Sequence, residues 1–195
     1  MDEADALYSQ ALALIEANGL ENAPESFEAF WGVSRLRQAQ DRPADAEVVL
    51  SAMLSRQRRD PEADDSDVAE TLNRLSSVLG QLERFSEAAE VQREAIELVM
   101  ASRGADHPST PIFLRNLASI YEDMSDAAEA DSAWAAAVEA AETAFGPDDP
   151  LTLDVLSDLG AALYTLRTPS ERSRWSAVSS TRSAQTPSRT RTRSP

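Results

Sequence analysis

The sequence predicts an all-α fold, a right-handed α-solenoid of antiparallel helix pairs. Three observations predict it. The chain repeats every 42 residues without a gap: Leu72, Leu114 and Leu156 form one column, and Ala4, Ala46, Ala88 and Ala130 another. Within each copy, apolar residues fall at three- and four-residue spacing, as Val68, Leu72, Leu75 and Leu79 do, which is one face of a helix. Small residues alternate with large ones, Ala46, Ala88 and Ala130 standing opposite Phe30, Leu72, Leu114 and Leu156. A fixed period of this length means stacked supersecondary units, each burying its apolar face only on its neighbours.

The elements follow in order. Asp2 to Asn18 reads as a lone second helix, with Ala4, Tyr8 and Ala11 in the columns of Ala130, Trp134 and Ala137. No first helix precedes it, so Leu7, Leu12 and Ile15 are expected to lack cover. Glu25 to Gln40 and Ala44 to Arg58 make a weaker pair, with Pro43 in the first turn of its second helix. Asp67 to Gln81 and Phe85 to Ser102 make the next pair, joined at Glu83-Arg84 and ended by Gly104. Asp106 to Thr110 supplies the break and the following N-cap. Pro111 to Met124 and Ala127 to Phe145 complete the third pair, and Leu151 to Leu166 is a lone first helix. There Leu153, Leu156, Leu159 and Leu163 are expected to be half covered. The domain boundaries are thus an orphan helix over 2–19, repeats over 25–60, 66–103 and 108–146, and an orphan helix over 150–166. Residues 167–195, rich in Arg, Ser, Thr and Pro, read as a disordered tail.

Composition narrows the function. There is no Cys, which removes disulfides, thiolate metal sites and a thiol nucleophile. The net charge of −16 divides unevenly: the tail from Arg167 holds seven Arg and one acid, Glu171, and carries +6, so residues 1–166 carry −22. An acidic body repels phosphate backbones, which argues against nucleic-acid binding by residues 1–166. No signal segment and no apolar run of membrane length is visible, so a soluble, cytoplasmic protein without membrane contact is expected.

The order of large, large, small, aromatic, Ala and Ala at Leu114, Leu117, Ala118, Tyr121, Ala130 and Ala137 resembles the tetratricopeptide repeat. The 42-residue period, the long second helix and the junction at Asp106–Pro108 resemble the variant found in kinesin light chains. The resemblance covers about residues 2–166. It departs from the short-repeat pattern at Met100, where a closing Pro is usual, and at Arg37, where Leu79, Tyr121 and Leu163 stand in later copies.

That resemblance implies a protein–protein interaction scaffold of adaptor type, with first helices lining a concave groove. The non-core positions of those helices give the candidate groove residues Trp31, Arg35, Asn73, Arg74, Ser77, Arg115, Asn116, Ser119 and Asp158. Amides there can grip a peptide backbone, and guanidinium groups its carboxylates. Trp31 is the one aromatic in these columns, although an aromatic in a degenerate repeat more often packs than binds. Trp134 and Tyr8 read as packed between helices. His107, the single His, reads as a loop stabiliser, and no second group stands ready to make it catalytic. The acid run Asp60–Asp67 does not fit a calcium loop, since its sixth position is Asp65 and not Gly. No metal, cofactor or catalysis is expected. Two other readings compete: a nucleic-acid-associated protein acting through the basic tail, and a fragment of a larger repeat-containing signalling protein. The two lone helices also raise head-to-tail self-association, in which two molecules complete a repeat between them.

Overall fold

A computed structural model describes residues 3–19 and 24–166. Among them stand eight α-helices and no strand: α1 (Glu3–Ala17), α2 (Pro24–Ala39), α3 (Pro43–Gln57), α4 (Asp65–Gln81), α5 (Phe85–Arg103), α6 (Ser109–Asp123), α7 (Ala127–Ala144) and α8 (Pro150–Leu166). The tail from Arg167, read from sequence as disordered, lies outside the described residues.

Local chemistry sets the helix ends. The Asp64 carboxylate accepts from the Ser66 N–H at 2.7 Å, and Asp65 and Asp67 place negative charge on the first turn of α4. Asp126 caps α7 by accepting from Glu129 N–H at 3.3 Å. The cap expected from the run Asp106–Thr110 takes another form. Pro108 occupies the N-cap of α6 without a side-chain bond, and the His107 ring accepts from Ser109 N–H at 3.3 Å instead. His107 therefore does act as a loop stabiliser.

The turns inside the three pairs are copies of one another. Asp41, Glu83 and Ser125 all adopt left-handed φ, at 57°, 58° and 59°. The next residue closes each turn onto the last helical carbonyls: Arg42 N–H to Arg37 O at 2.9 Å, Arg84 to Leu79 at 3.0 Å, Asp126 to Tyr121 at 2.9 Å. This is the Schellman arrangement, usually built on Gly, here built three times without it.

The residues up to Val155 form one compact unit. Ala46, Ala88 and Ala130 are wholly buried, each where a second helix meets its partner, so the small column permits the close approach the sequence implied. Val33, Leu75 and Leu117 bury opposite them. Within this unit the backbones of α2 and α4, and of α4 and α6, approach closely, whereas those of α3, α5 and α7 stay apart, α3 and α5 being bridged only by the long side chains of Glu47–Arg84 and Arg58–Glu94. First helices therefore lie on the inner side of the stack.

At the N-terminal end the expected lack of cover applies only in part. Leu12 and Ile15 pack against a cluster of Phe27, Phe30 and Met53, and only Leu7 of the three is largely exposed. The Tyr8 ring lies so close to Gly32 that an added Cβ would sit 2.5 Å from it, so a larger residue there would require the ring to shift. At the start of α8, Thr152 donates to Gly146 O at 2.8 Å and Leu153 is exposed. The second unit begins at Leu156. Its described part is the remainder of α8, in which Leu159 is buried, Leu163 half-buried, and Leu156 and Tyr164 exposed.

Candidate functional site

The inner helices place the candidate residues in three arrangements. Trp31 and Arg74 come together across α2 and α4. The guanidinium of Arg74 lies 4.7 Å from the centroid of the Trp31 ring, a cation–π contact, and pairs with Glu70 at 2.8 Å. Trp31 Nε1 donates to Thr71 Oγ1 at 3.3 Å, and its ring tilts against Phe27 at 6.3 Å. Trp31 is thus a half-buried packing residue under an arginine lid. Burial pushes the Glu70 carboxyl up from its ordinary range, and the Arg74 charge and hydrogen bond pull it back.

Asn73 and Asn116 form the second arrangement. Gln92, fully buried on α5, reaches between α4 and α6, where Nε2 donates to Phe113 O at 2.9 Å and to Asn73 Oδ1 at 3.0 Å. Ser76 Oγ bonds the Gln92 Oε1, and Asn116 Nδ2 donates to Asn73 Oδ1 at 2.9 Å. The chain of bonds fixes every amide orientation. A backbone carbonyl can only accept, so Gln92 must face it with its NH₂, Asn73 must answer with its oxygen, and Asn116 with its nitrogen. Asn73 Nδ2 and Asn116 Oδ1 are left without a bond among the described residues. They stand as one donor and one acceptor on adjacent inner helices.

The third arrangement is a row. Arg35, Ser77 and Ser119 occupy the same position on α2, α4 and α6, and all are exposed. Arg115 is half-buried on α6. Asp158 is exposed and belongs to the second unit.

Sequence reasoning missed Gln92, Ser76 and Glu70. A signal for Gln92 was present: it stands in the column of Tyr8, Leu50 and Trp134, and a polar residue among large apolar ones needs partners. Trp134 itself is buried, as expected for that column, and its Nε1 donates to Glu122 at 2.8 Å.

A tetratricopeptide-repeat family model matches residues 67–130 and 109–171, more than half of the sequence, and the chain belongs to that family. Such repeats generally mediate protein–protein interaction. No curated protein sequence matches the chain. Among solved structures it is similar to BtubC (BKLC) of P. vanneervenii, with a TM-score of 0.69 and 19% identity over 83% of this chain and 63% of that one. It is also similar to a Podosopora anserina protein of nearly identical TPR-like repeats, described as a kinesin light chain. There the TM-score is 0.64, with 16% identity over 73% of this chain and 67% of that one. The shared feature is the kinesin-light-chain-like helical stack. The chain spans less than two thirds of the BtubC chain's length. Among the described residues no helix is long and apolar enough to cross a membrane.

Proposed function

We propose that the inner face of α2, α4 and α6 binds an extended peptide segment of a partner protein, in the manner of an adaptor and without catalysis. The observation that carries this reading is the Asn73–Asn116 pair. A peptide unit offers one carbonyl and one N–H, and this pair offers Asn73 Nδ2 to donate and Asn116 Oδ1 to accept. Gln92 holds the Asn73 amide in that orientation, and Asn73 in turn holds Asn116, so little freedom is lost on binding. The exposed row of Arg35, Ser77 and Ser119 flanks the pair with further polar contacts. Arg74 enters differently from the sequence expectation, because Trp31 and Glu70 already engage its guanidinium. It serves chiefly to hold the wall of the groove.

Peptides selected from a displayed library against the full chain test this. Asn73→Ala and Asn116→Ala should each weaken the selected peptides about tenfold, whereas Ser102→Ala, on the exposed outer side of α5, should leave them unchanged. Equal affinities across all three variants would refute the groove.

Head-to-tail self-association is a second reading, supported by exposed Leu7 and Leu14 on α1 and exposed Leu151 and Leu153 on α8. Sedimentation at rising concentration tests it, and a constant monomer mass would end it.

A further inference from the structure

Away from the inner-face amides, a cavity of about 230 Å³ opens where α3 passes into α4, lined by Phe27, Gln57, Asp60, Glu62, Asp64 and Asp67. Gln57 decides its character. The residue is only 3% exposed, and neither Oε1 nor Nε2 of its amide has a hydrogen-bond partner. A buried amide with both ends unsatisfied is rare and costly, and it marks a place where a ligand donor can supply the bond that Oε1 lacks. We propose that this cavity binds the guanidinium group of an arginine side chain.

The lining chemistry matches that ligand. Four carboxylates and the Gln57 carbonyl are acceptors, which suits a group carrying five N–H donors and none to accept. The Phe27 ring supplies an aromatic surface, on which guanidinium, weakly hydrated and planar, stacks better than ammonium. Among the described residues no three carboxylates converge closely enough to hold a metal ion. Part of this acidity is already used. Asp64 pairs with Arg103 at 2.8 Å and caps α4, and Asp60 accepts from Glu62 N–H at 3.0 Å. The carboxylates of Asp67 and Glu62 make no hydrogen bond or ion pair among the described residues. Burial, with Asp64 adding to it, pushes the Asp67 carboxyl up against the opposing pull of Arg103. An arriving cation would offset both causes by favouring the ionised carboxylate. This site does not depend on the groove reading.

The arginine has two possible sources, a partner polypeptide or the seven arginines of residues 167–195. In a ¹⁵N-labelled full chain, the Gln57 side-chain signal is assigned by its loss in Gln57→Leu. Nα-acetyl-arginine amide should shift it saturably, and the citrulline analogue, neutral and of the same shape, should bind at least tenfold more weakly. Asp67→Asn should raise the arginine Kd at least fivefold, and Glu62→Gln, in the exposed loop, gives the same readout if Asp67→Asn disturbs α4. A variant with the seven arginines changed to Gln separates the sources. A displaced Gln57 signal and tighter arginine binding in that variant identify the chain's own arginines, and an unchanged signal identifies a partner's. Failure of arginine to shift the signal in either chain, or an equal response to citrulline, would overturn the proposal.

Discussion

Asp41, Glu83 and Ser125 each hold a left-handed backbone that glycine adopts more readily. An L-residue in that region costs roughly 1–2 kcal/mol, part of which glycine gives back as unfolded-state freedom. Glu83→Gly should therefore stabilise the chain by about 1 kcal/mol, read as a higher urea midpoint with an unchanged m-value. Glu70 makes a second residue-level case. An acid whose pKa is raised by folding keeps its proton longer in the folded state than in the unfolded one. Ionising it then costs stability as pH climbs from its ordinary 4.5 through the raised value. Glu70→Gln keeps an acceptor for Arg74 and removes that cost. Its melting temperature relative to the parent should rise over this window and level off above it. A difference that falls with pH would contradict the burial argument.

Among the elements, the close helix pairs were the most legible part of the sequence. Ala46, Ala88 and Ala130 recur in register, and their complete burial shows why nothing larger stands there. Ala88→Leu should cost about 1–3 kcal/mol through overpacking between α4 and α5, measurable by chemical denaturation. The helix starts were less legible, because caps depend on which nearby side chain turns inward: Asp64 does so for α4, and His107 serves α6 in place of a hydroxyl. The candidate site was half legible. Its residues were found by column, but their pairings were not, since contacts between copies do not follow the period itself. Trp31 meets Thr71 forty residues on, and Asn73 meets Asn116 forty-three on. Such offsets depend on how neighbouring pairs pack, which a list of repeating positions does not contain. The Gln57 cavity was invisible for a related reason. An orphaned amide is a property of surroundings, and the acid run nearby suggested only a solvated loop.

Taken as a whole, the molecule places different demands on its two kinds of helix. First helices approach their counterparts closely and meet through the Asn73–Asn116 amides, whereas the second helices α3 and α5 are joined, among the described residues, only by the side-chain pairs Glu47–Arg84 and Arg58–Glu94. Stability in such an array is close to a sum of units and nearest-neighbour interfaces, so damage remains near where it is made. The three matched left-handed turns extend this to editing of the chain. Because Asp41, Glu83 and Ser125 bend the backbone alike, the pairs behave as cassettes of one format, and removal of residues 66–107 would join Asp65 to Pro108 at equivalent points of the pattern. A shortened chain that still melts cooperatively, at a lower temperature, would show that bends alone dictate how successive hairpins dock. Loss of its helical signal would instead locate that instruction in the side chains meeting across the seam.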